Sequence, residues 1–205
     1  MWDERYSAHG YVYGTEPNEF LVSVATRIPP AGRVLCIGEG EGRNAVWLAT
    51  RGFAVVALDQ SAVGLAKAER LAAVHAVSIM TYRTDLADYP WVGAPTGAWE
   101  AGPWDAVVAI WCHLPPQLRA RTHRLAAETL RAGGAFILEA YTPAQIGFAT
   151  GGPRDPTLCM TLDQLRTDLV GLDIEVGAEV TREVHEGHLH RGLSAVVQVV
   201  ARKPA

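Results

Sequence analysis

The chain has 205 residues, 49% of them hydrophobic, a net charge of −4 and three cysteines, which suits one domain with a full-sized core. The acidic balance and the lack of a Lys/Arg cluster argue against a nucleic-acid binder, whose phosphate contacts need a basic surface. No apolar run reaches membrane-spanning length, Met1-Trp2-Asp3-Glu4 does not open a signal peptide, and an odd trio of cysteines suits a reduced, cytoplasmic setting.

In chain order, Ser7 to Asn18 is turn-rich. A helix is predicted near Glu19 to Arg27, ended by Pro29-Pro30. Arg33 to Ile37 is a short apolar run suited to a buried strand. Arg43 to Thr50 follows as a helix, closed by Gly52. Phe53 to Leu58 is a second buried strand ending at Asp59. Ser61 is placed to cap a helix to about Val74, with Leu65, Ala68, Leu71 and Ala72 on one face. Val77 to Tyr82 is a third strand ending near Asp85. Pro90 to Pro103 is a long loop. Asp105 to Trp111 is a fourth strand, Pro116 to Leu130 a helix stopped by Gly133-Gly134, and Ala135 to Ala140 a fifth strand. Thr161-x-x-Gln164 is a capping-box pattern opening a helix. Two longer strands, near Ile174 to Val184 and Leu193 to Arg202, flank a connector at Glu186-Gly187 and predict a hairpin.

Alternating helices and near-continuous apolar strands imply a parallel sheet covered on both faces. The fold class is therefore α/β, a Rossmann-like, doubly wound and mostly parallel seven-stranded sheet with an antiparallel C-terminal hairpin. One domain over 1–205 is expected. Within it, 1–30 form an N-terminal lid and helix, 31–142 a ligand-binding core, and 143–205 a substrate-side loop, helix and hairpin.

Ligands of such sheets bind beyond the carboxyl ends of the strands. Gly38-Glu39-Gly40-Glu41-Gly42 stands there, between the first strand and its helix. A dinucleotide loop needs G-x-G-x-x-G/A, and this loop reads G-x-G-x-G. Two carboxylates beside a pyrophosphate would repel it, whereas a sulfonium or ammonium ligand tolerates them. No Gly-Lys-Ser/Thr follows, which excludes a Walker-type loop.

With Asp59 ending the second strand, Asp85-Leu86 ending the third and VVAIW closing the fourth, the chain resembles the class I S-adenosylmethionine (SAM) methyltransferases. The stretches WDERY…YVYGTEPNEFL, EGEGRNAVWLA, IWCHLPP and ILEAYTPAQ…TGGP are similar to a bacterial group allied to the tellurite-resistance and thiopurine methyltransferases. The resemblance implies SAM as cofactor, held by Gly38, Glu39, Gly40, Gly42, Asn44, Asp59, Gln60, Asp85, Leu86 and Trp111, with Tyr13 of the lid over it. Asp59 would accept from the ribose hydroxyls and Asp85 from the adenine amino group. Such proteins usually carry an acid where Cys36 stands, to hold the methionine ammonium; Glu39 is the substitute at hand. Arg43 either meets a ligand carboxylate at the helix start or pairs with Glu39 or Glu41.

His113 is the candidate general base, although a lone histidine is more often structural. Cys112, Tyr141 and His190 are candidates for the substrate pocket. His185-x-x-His188-x-His190 lacks a companion ligand cluster, so no metal is expected. The expected activity is methyl transfer to a small-molecule acceptor such as a thiol, a metalloid oxyanion or another small nucleophile, with no nucleic-acid or membrane partner, in a monomer or weak dimer. The alternatives are a nicotinamide-dependent oxidoreductase and a SAM-binding protein that performs no transfer.

Overall fold

A computed structural model describes residues 2–91, 102–148, 150–187 and 189–205. Seven strands form one sheet: β1 (Arg33–Ile37), β2 (Ala54–Asp59), β3 (Met80–Arg83), β4 (Trp104–Ile110), β5 (Leu130–Tyr141), β6 (Asp173–Glu186) and β7 (His190–Arg202). Their order across the sheet is β3-β2-β1-β4-β5-β7-β6. The first five run parallel, and β7 lies antiparallel to both β5 and β6. β1 and β4 are neighbours, with Cys36 level with Val108. Strand order reverses between them, so their carboxyl ends flank the crevice where such sheets take ligands.

The helices are α1 (Trp2–Tyr6), α2 (Glu19–Val24), α3 (Arg43–Thr50), α4 (Ala62–Val74), α5 (Pro116–Thr129) and α6 (Leu162–Asp168). Their starts obey local chemistry. Asn18 caps α2 by accepting from Leu21 N, and Ser61 caps α4 by accepting from Gly64 N. Thr161 and Gln164 close a reciprocal capping box on α6. Two apolar layers cover the sheet faces: Leu35, Ile37, Val107, Phe136 and Leu138 on one side, and Val34, Cys36, Val108, Ile137 and Leu48 on the other. All three cysteines are free and buried.

Several boundaries differ from the sequence expectation. The third strand starts at Met80, not Val77, because Ala76 turns the chain with φ 54° and pairing begins only where Val56 lies alongside. The helix expected from Glu19 to Arg27 stays α-helical only to Val24 and tightens into a 3₁₀ turn over Ala25–Arg27. β5 begins at Leu130, five residues early: Leu130 pairs with Trp104, and a register shift between Trp104 and Ala106 absorbs the extra length. Both hairpin strands are longer than expected because they pair through to Glu186 and His190. Helix α1 lies ahead of the first expected element. Most of the expected loop Pro90 to Pro103 lies outside the described residues. No described helix is long and apolar enough to cross a membrane.

Candidate active site

A cavity of about 860 Å³ opens at the carboxyl ends of β1, β2 and β4. Its walls include Gly38, Glu39, Asn44, Asp59, Gln60, Asp85, Leu86, Trp111, Cys112, His113, Tyr13 and His190, so the fold brings together twelve of the residues singled out in the sequence. Three others do not line it. Gly40 and Gly42 serve packing: a Cβ on Gly40 would come within 2.5 Å of the Tyr6 hydroxyl, and one on Gly42 within 2.4 Å of the Ala68 Cβ. Both have positive φ, so glycine is required twice over. Tyr141 is fully buried and forms the support behind Trp111, its ring stacked 4.3 Å away.

Asp59 ends β2 and is 8% exposed. It accepts from Gly40 N and Ser61 N, each at 2.8 Å. Burial raises its pKa from the ordinary carboxylate value. Each oxygen retains a lone pair for a further donor from the cavity.

The two acids of the glycine loop divide their work. Glu39 accepts from Asn44 N (3.0 Å) and Ala45 N (2.8 Å), so it sits on the amino end of α3 while still lining the cavity. Desolvation raises its pKa to about 7. Glu41 also lines the cavity, and it is spoken for by the N-terminal segment: it accepts from Val12 N, Tyr13 N and the Lys67 ammonium. Lys67 also donates to the carbonyls of Ala8 and Gly10. The N-terminal segment is thus docked on the loop. Tyr13 rests 4.6 Å from the His190 ring, and its hydroxyl accepts from Arg5.

Arg43 pairs with neither Glu39 nor Glu41. It forms a buried ion pair with Glu186 and donates to the Glu16 carbonyl. The sequence separation of 143 residues between Arg43 and Glu186 hides this pairing from any local reading.

Trp111 follows directly on the end of β4, with a φ of 57° that is unusual for a residue with a side chain. Its amide donates to the Glu139 carbonyl and its indole N–H to Glu186, which fixes the ring against the cavity. His113 Nδ1 lies 2.9 Å from the Leu158 carbonyl. A carbonyl only accepts, so Nδ1 carries the proton. Nε2 is left facing the Tyr141 N–H at 3.5 Å. Burial lowers the His113 pKa to about 4. His190 is likewise held low, to about 3, by burial and by the nearby Arg43 charge. Both imidazoles are neutral at pH 7.

Residues 34–134 match the model of a methyltransferase domain. The chain has the class I methyltransferase fold. Among solved structures, it is similar to one described as the conversion of a disulfide bond into a thioacetal group during echinomycin biosynthesis, at TM-score 0.71 and 21% identity over 99% of this chain and 91% of that one. It is similar to TehB from Haemophilus influenzae at TM-score 0.70 and 17% identity, over 98% of this chain and 65% of that one. It is also similar to magnesium protoporphyrin IX methyltransferase from Synechocystis PCC 6803 with bound SAH, at TM-score 0.64 and 17% identity, over 90% and 78% of the two chains. No curated protein matches the sequence.

Within this methyltransferase fold the sequence reading passed over part of the site. Arg5 and Tyr6 on α1 line the cavity, with Trp2 stacked on Tyr6 at 5.5 Å; the i,i+4 aromatic spacing was the available signal. Gln145, Ile146, Gly151, Gly152, Pro153, Arg154 and Leu158 form the far wall. Behind it lies a buried polar network. Asn18 donates to Glu139 and Glu186, and Arg182 clamps Glu139 with Nε at 2.9 Å and Nη2 at 2.7 Å. An acid inside the apolar run FILEAY was its signal, since a buried carboxylate needs partners. Among the described residues no three His, Cys, Asp or Glu side chains converge as a metal site; His188 lies outside them, and His185 is exposed.

Proposed function

We propose that the protein binds SAM in this cavity and transfers its methyl group to a small-molecule acceptor. The observation that carries the reading is the single cavity joining Asp59 and Glu39 at one end to the aromatic wall of Trp111, Tyr13 and His190 at the other. The donor set fits that cofactor. Asp59 has lone pairs for two ribose hydroxyls. Asp85 and Leu86 stand at the adenine end, and Gln60 beside them. Glu39 offers a negative charge for an ammonium in the place left by Cys36. Asn44 stands at the amino end of α3. A bound sulfonium supplies the activated methyl group, and an aromatic wall favours a cation.

The chain's own residues then orient and enclose. Tyr13 and Trp111 narrow the space around the reacting centre, and the docked N-terminal segment keeps water from it. His113, neutral and holding its proton on Nδ1, is a weak base at pH 7. The site therefore suits an acceptor that is nucleophilic without losing a proton to the protein.

Calorimetry tests the reading. SAM or S-adenosylhomocysteine is expected to bind in the micromolar range, about 8 kcal/mol, and NAD far more weakly. NAD binding as tight as SAM would return the site to the nicotinamide oxidoreductases. Release of S-adenosylhomocysteine in an acceptor screen separates an enzyme from a protein that only binds SAM.

A further inference from the structure

The two ends of the cavity differ in charge. The four carboxylates among its lining residues, Glu39, Glu41, Asp59 and Asp85, all belong to the glycine loop or the ends of β2 and β3. The far end is built by the tail of β4, the loop after β5 and the tip of the β6–β7 hairpin. It presents Leu114, Ile146, Leu158 and Leu189 beside Trp111 and the two neutral imidazoles. Ile146 and Leu189 remain 45% exposed, an apolar lip at the mouth. Among the described residues of this wall one side chain carries a full positive charge; Arg5 and Arg43, which also line the cavity, come from α1 and α3. Arg154 lines the cavity with no hydrogen bond or ion pair to any described residue, unlike Arg43, Arg119, Arg182 and Arg202, which are all paired.

The wall that carries Arg154 is tied to β7 by hydrogen bonds. Gln145, 1% exposed, donates to Thr150 Oγ1 and the Gly151 carbonyl and accepts from Ala195 N. Thr150 in turn donates to the Leu193 carbonyl. Gly152 lies flat on Tyr141, where a Cβ would meet the ring at 2.8 Å; Gly151 lies against the hairpin, where a Cβ would meet the Leu189 carbonyl at 2.4 Å. The loop is thus pinned to β7 and delivers Arg154 to the rim.

We propose that the methyl acceptor is a molecule with an apolar body and a carboxylate or similar anionic group, its body against Trp111 and the leucines of this wall and its anion on Arg154. The proposal rests on the methyltransferase reading of the same cavity. A cationic amine finds no lining carboxylate at this end among the described residues, Glu186 behind Trp111 being already paired with Arg43, and a bare oxyanion leaves the apolar lip without a partner. An anion with an apolar body satisfies both, because a guanidinium at a rim orients a carboxylate while the apolar wall supplies area removed from water.

The test uses three probes of one shape, benzoate, benzamide and benzylammonium, together with tellurite as the bare oxyanion, titrated into the protein with and without S-adenosylhomocysteine. Benzoate is expected to bind at least tenfold tighter than benzamide, the size of a charge-assisted hydrogen bond, with benzylammonium weakest. In Arg154→Gln, benzoate is expected to fall to the level of benzamide while S-adenosylhomocysteine affinity stays unchanged. Equal binding of the three probes, or an unchanged benzoate affinity in Arg154→Gln, overturns the anionic half. Tellurite displacing benzoate at equal concentration overturns the apolar half. Failure of S-adenosylhomocysteine to bind while benzoate binding stays sensitive to Arg154 separates an error in the cofactor reading from one in the acceptor reading.

Discussion

At the residue scale, the clearest consequence concerns Asp59. Its backbone partners hold it in place, and its free lone pairs face the cavity. Replacing it with alanine removes two acceptors for ribose hydroxyls. At roughly 1.5–3 kcal/mol for a charge-assisted bond, SAM affinity is expected to drop tenfold or more. The burial that raises its pKa also disfavours the charged form in the empty protein, so the fold is expected to survive the change. Calorimetry and circular dichroism on Asp59→Ala check both halves; unaltered SAM affinity in a folded variant removes Asp59 from the site.

Glu39 makes a pH prediction. Desolvation raises its pKa to about 7, so the empty protein carries it partly protonated at neutral pH. A ligand ammonium favours the carboxylate form. SAM affinity is therefore expected to strengthen as pH rises through 7, with a proton released on binding, and this dependence is expected to vanish in Glu39→Gln. Stability has the opposite sign. A carboxyl raised above its unfolded value contributes its full stability below the unfolded value, and loses it as pH climbs through 7. Titrations in buffers of different ionisation enthalpy read the proton directly; no proton release near pH 7 rules out Glu39 as the ammonium partner.

At the scale of elements, the N-terminal segment is the part whose behaviour matters most for turnover. Asp3 binds the Ser61 hydroxyl, Tyr6 is buried on α4, and Glu41 and Lys67 hold residues 8–13 by five hydrogen bonds. A cofactor enzyme must both exclude water and release product, and a segment fixed by hydrogen bonds rather than by a large apolar face is suited to open. Removing residues 1–16 is expected to leave the sheet folded and to weaken SAM binding. The cut has to spare Asn18, because it caps α2 and bonds both Glu139 and Glu186. Hydrogen exchange with and without S-adenosylhomocysteine is the direct measurement. Equal protection of the Tyr11 to Thr15 amides in both states means the segment is permanent outer packing.

At the scale of the whole molecule, the network around Glu139 ties α2, α3 and the last three strands together behind the site. Glu139 is fully buried and accepts from Asn18, Arg182 and Gln198. Removing one partner of a buried ion pair leaves the other uncompensated, at about 3–5 kcal/mol. Glu139→Gln is expected to lose around 3 kcal/mol in urea denaturation with the slope unchanged; a loss below about 1 kcal/mol would mean that Arg182 is served by Glu19 and solvent instead.

The sequence by itself determined the sheet, its parallel sense, the hairpin and the place of the cavity. Each follows from local patterns: buried β1, β2 and β4 read as unbroken apolar runs, Ser61 and Thr161 announce helix starts, and glycine loops and strand-end acids mark the crevice. Twelve candidate residues do reach that cavity because strand ends are fixed once the strands are. Only the tertiary structure decided how the charges are shared. Glu41 and Glu39 are two residues apart, chemically alike and both on the cavity wall, yet one holds the N-terminal segment and the other sits on the amino end of α3. Arg43 had two acids within reach along the chain and took Glu186 from the last hairpin. Gly40 and Gly42 read as ligand-loop glycines, and only the fold shows that Tyr6 and Ala68 also come close to them. Apolar periodicity is a property of neighbours along the chain, whereas ion pairing, close backbone approach and cavity walls depend on which distant elements the fold sets side by side.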